Sequence, residues 1–383
     1  MRRYVNFILL GLTAVWAIVA GCAQSSHECV ASAEICDGVD NDCNGGIDEG
    51  SVCSIPRLAA LIQPAGFVKG SLDLFAIADG SLSKDVLSGG TGEIPNQIVK
   101  DGDNFYIVNS AQNSLQKVDV KTIKTTRWYY LPQGSNPWSV AVYQGKKAFV
   151  SAWLSHTVEV VDLETGYIKS IQLPDPEEGK KPYPLGVTIS GNRVYVAESA
   201  NDGAWPSAYK TRGAYAVIDA DNDSLIETKD SGIDACINIQ QVVVDESSMT
   251  FIVCAGDFGT TQLGRVVVRD GSGNVTGNIA IGNAPTKIYF NSGKGYLTDM
   301  FGPDILVIDA VSLAAIRDAS NPVALKQHGY STTAIAFDST GTIYATVWDS
   351  TDNRNLFAIN PETYEILSSY ELSGPAQDAV YVE

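Results

Sequence analysis

From about residue 56 onward, hydrophobic and polar positions recur in a fixed order. A unit Pro-x-x-φ-x-φ (φ apolar) begins at Pro95, Pro137, Pro184, Ile239, Pro285, Thr332 and Pro375, at intervals of 42, 47, 55, 46, 47 and 43 residues. Roughly ten residues later comes a second apolar run, such as Ala148-Phe149-Val150-Ser151, Arg193-Val194-Tyr195-Val196 or Gly295-Tyr296-Leu297-Thr298. A third run closes on a turn residue, at 116–119, 158–162, 216–219, 266–270, 306–309 and 356–360. A fourth follows, as in Tyr167-Ile168-Lys169-Ser170-Ile171. Short alternating runs punctuated by turns predict strands. Four of them per period of about 47 residues predict the blades of a propeller.

The count also predicts how the ring closes. There are seven innermost-strand openings, but only six are followed by a third run; the remaining one lies at the other end, in residues 72–79. The strand at 375–382 should therefore complete the blade begun by residues 64–92, leaving no exposed strand edge. The expected fold is all-β: a seven-bladed β-propeller over 56–383, closed by pairing of its N- and C-terminal strands and preceded by a small disulfide-rich acidic module. Blade three is the longest because residues 200–213 insert between its second and third strands.

Composition narrows the function. Charged residues are 18% and glycines number 35, which suits a turn-rich β protein and argues against a coiled coil, a helical bundle or disorder. The formal net charge of −18 repels phosphate backbones, so nucleic acid is excluded as a partner. Three histidines, His27, His156 and His328, are too few for a polyhistidine copper centre.

The N-terminus reads as an address. Arg2 and Arg3 precede an apolar run over 7–20 that is too short to span a membrane and ends in Val19-Ala20-Gly21-Cys22. These four residues and the run before them resemble the lipobox of bacterial lipoproteins. The resemblance implies a signal peptide over 1–21, a diacylglyceryl thioether on Cys22 and a lipid-anchored tether over 22–28. Ala23, rather than Asp, after the cysteine implies the outer membrane, with the chain periplasmic or surface-exposed.

Export places the other six cysteines in an oxidising compartment. Cys29, Cys36, Cys43 and Cys53 form a local group whose three possible connectivities stay open. Cys236 and Cys254 flank a hairpin with its turn near 246–248, so antiparallel pairing brings the two thiols together and a disulfide is expected, with two buried free thiols as the alternative. Within the module at 29–53, Asp40, Asp42 and Asn44 stand at alternate positions before Gly45, and Asp48 and Glu49 follow. Such oxygen donors around a tight turn suit a hard cation, so calcium is expected ahead of copper. Residues 36–49 are similar to the metal-binding motif Cys-Asp-Gly-x-Asp-Asn-Asp-Cys-Asn-Gly-x-x-Asp-Glu of secreted bacterial proteins. A stapled acidic spacer that binds nothing is the competing reading.

The units Asn136-Pro137-x-x-Val140-Ala141-Val142, Ala148-Phe149-Val150-Ser151 and Thr157-Val158-x-Val160-Val161-Asp162-x-x-Thr165-Gly166 resemble the YVTN family of β-propeller repeats. The resemblance implies the fold; members of the family range from surface-layer proteins to redox-enzyme subunits, so it implies no single activity.

Candidate chemistry gathers at the channel mouth. Aligning second-strand ends puts Asn109, Glu198 and Asp299 on one rung, where they could converge on a central cation or simply accept strand-end N–H groups. Ser155 and His156 are adjacent in sequence, which does not make a dyad, and His156 sits at a hairpin position. Trp138, Trp153, Tyr183, Phe301 and Trp348 fall at strand entries and second-strand ends, and Trp205 and Tyr209 fall in the blade-three insertion. With Asp257, Asp299 and Asp349 beside them, these rings would suit a protein loop or a glycan; packing between blades is the competing role. The expected function is a non-enzymatic, lipid-anchored envelope binding protein using this face, with the acidic module as a metal-stiffened stalk. A lactonase-like hydrolase or redox-enzyme subunit with a central cation is the alternative, and a structural or adhesive envelope component is a weaker third.

Overall fold

The computed structural model describes residues 31, 41–45, 56–66, 68–203, 212–257, 263–326 and 330–382. The expected signal peptide, Cys22, and most of residues 29–53 lie outside them. Within them the strands form seven antiparallel sheets around a common axis. Blades 1 to 6 take their innermost strands from Pro95–Asp101, Pro137–Tyr143, Pro184–Ser190, Ile239–Val244, Pro285–Asn291 and Ser331–Phe337. Each begins within one residue of the position read from the repeat. Blade 5 has an extra two-residue strand, Val323–Ala324, paired with its third strand.

Blade 7 closes the ring as the repeat count requires, with one strand more than the sequence reading placed there. Its innermost strand is Ala376–Val382, and this pairs with Arg57–Ile62, with Arg57 opposite Val382 and Ala60 opposite Ala379. Arg57–Ile62 in turn pairs with Ser71–Ala76. Every residue of Arg57–Ile62 is buried, so its run Leu58-Ala59-Ala60-Leu61-Ile62 shows no alternation to mark it as a strand.

The core is distributed rather than central. Seven apolar clusters fill the seven wedges between neighbouring blades. Between blades 2 and 3, for example, Phe149 and Val158 meet Val187 and Val194. With apolar packing committed to the wedges, the inner strands are free to carry polar residues where they open toward the axis.

Candidate ligand site at the channel mouth

Each innermost strand slips register where it opens. The slips fall between Pro95 and Gln97, Pro137 and Val140, Pro184 and Val187, Ile239 and Gln241, Pro285 and Ile288, and Thr332 and Ala334. In blade 7 the same slip separates Ala376 from Asp378. A bulge leaves residues unpaired and re-aims their side chains. Repeated seven times, it surrounds the mouth of the channel with residues that have left the ladder. Just before several of these openings the backbone turns through a left-handed residue: Ile94, Asn136, Tyr183 and Asn238 have φ between +47 and +55° or, for Tyr183, +45°.

These residues line a cavity of about 270 Å³. Asn96 and Gln97 come from blade 1, Gln240 and Gln241 from blade 4, and Thr332 and Thr333 from blade 6. Trp138 stands at the rim, 39% exposed. The third residue of five of the seven innermost strands ties its blade to a neighbour. Gln97 Oε1 accepts the Val140 N–H at 2.7 Å and the Ser139 hydroxyl at 2.8 Å. Ser139 Oγ accepts the Val187 N–H at 3.1 Å, and Gln241 Oε1 accepts the Ile288 N–H at 2.7 Å. Asp378 Oδ2 accepts the Ile98 N–H at 3.1 Å, and the Thr333 hydroxyl donates to the Ala376 carbonyl at 2.9 Å. Between blades 3 and 4 the position is Gly186, because a Cβ there would lie 2.4 Å from the Gln240 carbonyl oxygen.

One ion pair crosses the cavity wall. Lys287 Nζ of blade 5 lies 2.8 Å from Asp378 Oδ1 of blade 7. Burial works against the Lys287 ammonium, yet Asp378 and Tyr289 outweigh it and hold its pKa above the ordinary lysine value. Burial also pushes the Tyr289 phenol up to about 12, so it stays protonated at neutral pH. Burial pushes the Asp378 carboxyl up, against the pull of Lys287.

The structure gathers some of the sequence-named residues and separates others. Trp138, Trp153 and Tyr183 form a continuous row across blades 2 and 3, with ring centroids 6.4 and 5.1 Å apart. His156 extends it edge-on, 4.5 Å from Tyr183. The Ser155 hydroxyl is shared with Thr157 Oγ1 at 2.7 Å and contacts the Ala152 carbonyl, so it is not engaged with the imidazole. Burial, then Lys181, hold the His156 pKa below its ordinary value.

Asn109, Glu198 and Asp299 do share a rung, opposite Pro95, Pro184 and Pro285, but all three are buried and none lines the cavity. Asn109 donates to the Ile107 carbonyl at 3.3 Å. Asp299 accepts the Asn283 amide at 2.8 Å and the Ala284 and Phe301 N–H groups at 3.2 and 3.3 Å, which is a strand-end cap. Burial nevertheless leaves its pKa raised. Phe301 is 58% exposed beside it. Trp348 donates its indole N–H to the Gln63 carbonyl at 3.2 Å and meets Tyr330 edge-on at 5.4 Å, so it sits where blade 6 meets blade 7. Asp349 is buried against Lys326 at 3.0 Å. Asp257 is half-buried just beyond the second strand of blade 4, and Trp205 and Tyr209 lie outside the described residues.

Cys236 and Cys254 form the expected disulfide, with Cα atoms 5.2 Å apart. The bulge after Ile239, which puts Ile239 opposite Cys254, absorbs the offset that simple hairpin counting leaves. In the acidic module, Cys43 is disulfide-bonded, and Asn44 donates to Asp42 through its backbone at 3.1 Å and its side chain at 3.0 Å. Asp40, Asp48, Glu49, Cys29, Cys36 and Cys53 lie outside the described residues. Among the described residues no group of three or more His, Cys, Asp or Glu side chains is placed to hold a metal ion.

The amide and hydroxyl lining is what sequence reasoning passed over. Its signal was present, in the second and third residues of four innermost strands: Asn96-Gln97, Gln240-Gln241, Thr286-Lys287 and Gln377-Asp378.

No family model matches the chain, and no curated protein matches it. Solved structures do. A candidate 6-phosphogluconolactonase from Bacteroides fragilis superposes with a TM-score of 0.61 at 13% identity, over 88% of this chain and 100% of that one. A virginiamycin B lyase from Staphylococcus aureus gives 0.56 at 14%, over 75% and 93%. The hydrazine synthase of Kuenenia stuttgartiensis gives 0.56 at 17%, over 78% and 91%. At these identities the likeness is one of fold. The chain is a seven-bladed β-propeller.

Proposed function

We propose that the chain is a lipid-anchored bacterial envelope protein that binds a protein or glycan partner on the mouth face of its propeller. In this reading residues 29–53 form a calcium-stiffened stalk and Cys22 carries the lipid. The observation that supports binding over catalysis is the cavity lining. Its polar groups are carboxamides and hydroxyls, and its one cation is paired with Asp378. Such groups recognise ligands through hydrogen bonds, whereas acid–base chemistry needs a group whose pKa lies near the working pH.

Two experiments test the reading. Benzophenone cross-linkers are placed in cells at Phe301, on the mouth face, and at Val311, which is 84% exposed at the opposite end of blade 5. Adducts are expected from position 301 alone; equal adducts from both, or metal-dependent lactone hydrolysis that Glu198→Ala abolishes, would overturn it. Clickable fatty acid should label the wild type and miss Cys22→Ser, and equal labelling would remove the anchor.

A further inference from the structure

We propose that the channel-mouth cavity is a saccharide site that takes one uncharged sugar ring at the end of a glycan. The inference rests on the mouth-face reading above and names its ligand class. It starts from the orientation of four carboxamides, which the backbone fixes. A backbone N–H can only donate, so the Gln97 and Gln241 oxygens must face Val140 and Ile288. Their NH₂ groups then have no partner among the described residues. The Ser110 hydroxyl donates to the Pro137 carbonyl at 2.5 Å, so it can only accept from Asn96, whose amide nitrogen therefore faces it and whose oxygen is left free. Asn238 donates to the Gly256 carbonyl, so its own oxygen accepts the Gln240 NH₂ at 2.7 Å, and the Gln240 oxygen is likewise free.

The result is a free acceptor and a free donor on consecutive cavity-lining residues of blade 1, and the same on blade 4. Vicinal hydroxyls on a sugar edge match such a pair, because each hydroxyl both donates and accepts.

Three further observations agree. Thr332 is 1% exposed and lines the cavity, and its hydroxyl has no hydrogen-bond partner among the described residues. A buried polar atom left in this state marks a place where a ligand group or water completes the bond. Trp138 offers an exposed aromatic face at the rim, and Trp153 and Tyr183 continue it outward for the sugars that follow. The volume of about 270 Å³ falls just below the range of drug-sized ligand sites, about 300 to 1,000 Å³, so it suits a chain end rather than a whole oligomer.

The test is calorimetric titration of the mature chain with neutral methyl hexosides and N-acetylhexosamines, with glucuronate and a blocked dipeptide amide as comparisons. At least one neutral glycoside should bind saturably and more tightly than either comparison. Thr332→Val should weaken it by about tenfold, the worth of one hydrogen bond, and Trp138→Ala, a rim change outside the interblade ties, should weaken it also. Failure of every neutral glycoside at about 10 mM, tighter binding of the dipeptide, or unchanged binding by both variants would overturn the proposal. Cross-links confined to position 301 alongside such a failure would retire the sugar and leave the mouth-face reading standing.

Discussion

Two adjacent threonines on the innermost strand of blade 6 should respond in opposite directions to the same substitution. Valine replaces the hydroxyl of threonine with a methyl group of similar size and keeps the β-branch that suits a strand. Thr332 buries a hydroxyl that makes no hydrogen bond among the described residues. Thr333 donates to the Ala376 carbonyl of the next blade at 2.9 Å and shares a 2.9 Å bond with Thr346. An unsatisfied buried polar group costs about 1–3 kcal/mol, so Thr332→Val should recover a quantity of that order. Thr333→Val instead strips a bonded hydroxyl and leaves Ala376 short of a partner, a loss of about 1–3 kcal/mol. Unfolding entropy of about 2.1 cal/mol/K per residue gives a propeller of this length roughly 0.7 kcal/mol/K. The melting temperature should therefore rise by about 1.5–4 °C in Thr332→Val and fall by a similar amount in Thr333→Val. Differential scanning calorimetry of the ligand-free chain reads both. A fall in both variants would show that the Thr332 hydroxyl is bonded in the folded protein, and would remove its role in the cavity.

Other substitutions probe the frame around the site. Breaking the Cys236–Cys254 bridge, which closes a loop of 18 residues, should destabilise the oxidised protein by about 3 kcal/mol on the chain-entropy account. An unchanged denaturation midpoint in the Cys236→Ser/Cys254→Ser double variant would contradict it. Asp378→Asn leaves the half-buried Lys287 without its counter-ion and should destabilise more than the double variant Asp378→Asn/Lys287→Met, as a urea double-mutant cycle would show; a double-variant loss equal to the sum of the two single-variant losses would mean the pair is uncoupled. Gly186→Ala drives a Cβ into the Gln240 carbonyl and should both lower the melting temperature and disturb the blade 3–4 side of the mouth, whereas a neutral result would mean the blades part freely. Asp162, Asp219 and Asp309 accept turn N–H groups that hold their carboxyls below the ordinary value of 3.8. A depressed carboxylate stabilises the fold above its unfolded pKa and loses that contribution as pH falls through the folded one. Changing these three to asparagine should flatten the loss of stability below about pH 4, and an unaltered acid limb would refute the assignment.

The ring was legible in the sequence because its physics is local and repeated. Each Pro-x-x-φ-x-φ unit declares an innermost strand, since proline suits a strand entry and the apolar alternation faces the wedges. Arg57–Ile62 escaped because a strand buried on both faces has no alternation to read. The Cys236–Cys254 bridge was legible in outline, but its register depended on a bulge, which inserts a residue without any fixed sequence mark.

The site was legible only in part. Trp138, Trp153 and Tyr183 meet as their shared end of the blades suggested. Asn109, Glu198 and Asp299 share a rung, but a rung fixes height along the axis and not the direction of a side chain; at this one the side chains turn into the protein. The amides that line the cavity looked like ordinary polar positions in a strand. Their meaning emerges once backbone donors and acceptors in the neighbouring blade have claimed half of each group.

The central claim is that the channel mouth is where a ligand sits. A crystal structure of the protein grown with the tightest-binding neutral glycoside tests it most directly. The account predicts a sugar ring in the cavity, with hydroxyls on the Gln97 and Gln241 NH₂ groups, on the Asn96 and Gln240 oxygens and on Thr332, and with Trp138 against its face. A glycoside bound elsewhere on the propeller, with only water between those amides, would contradict it.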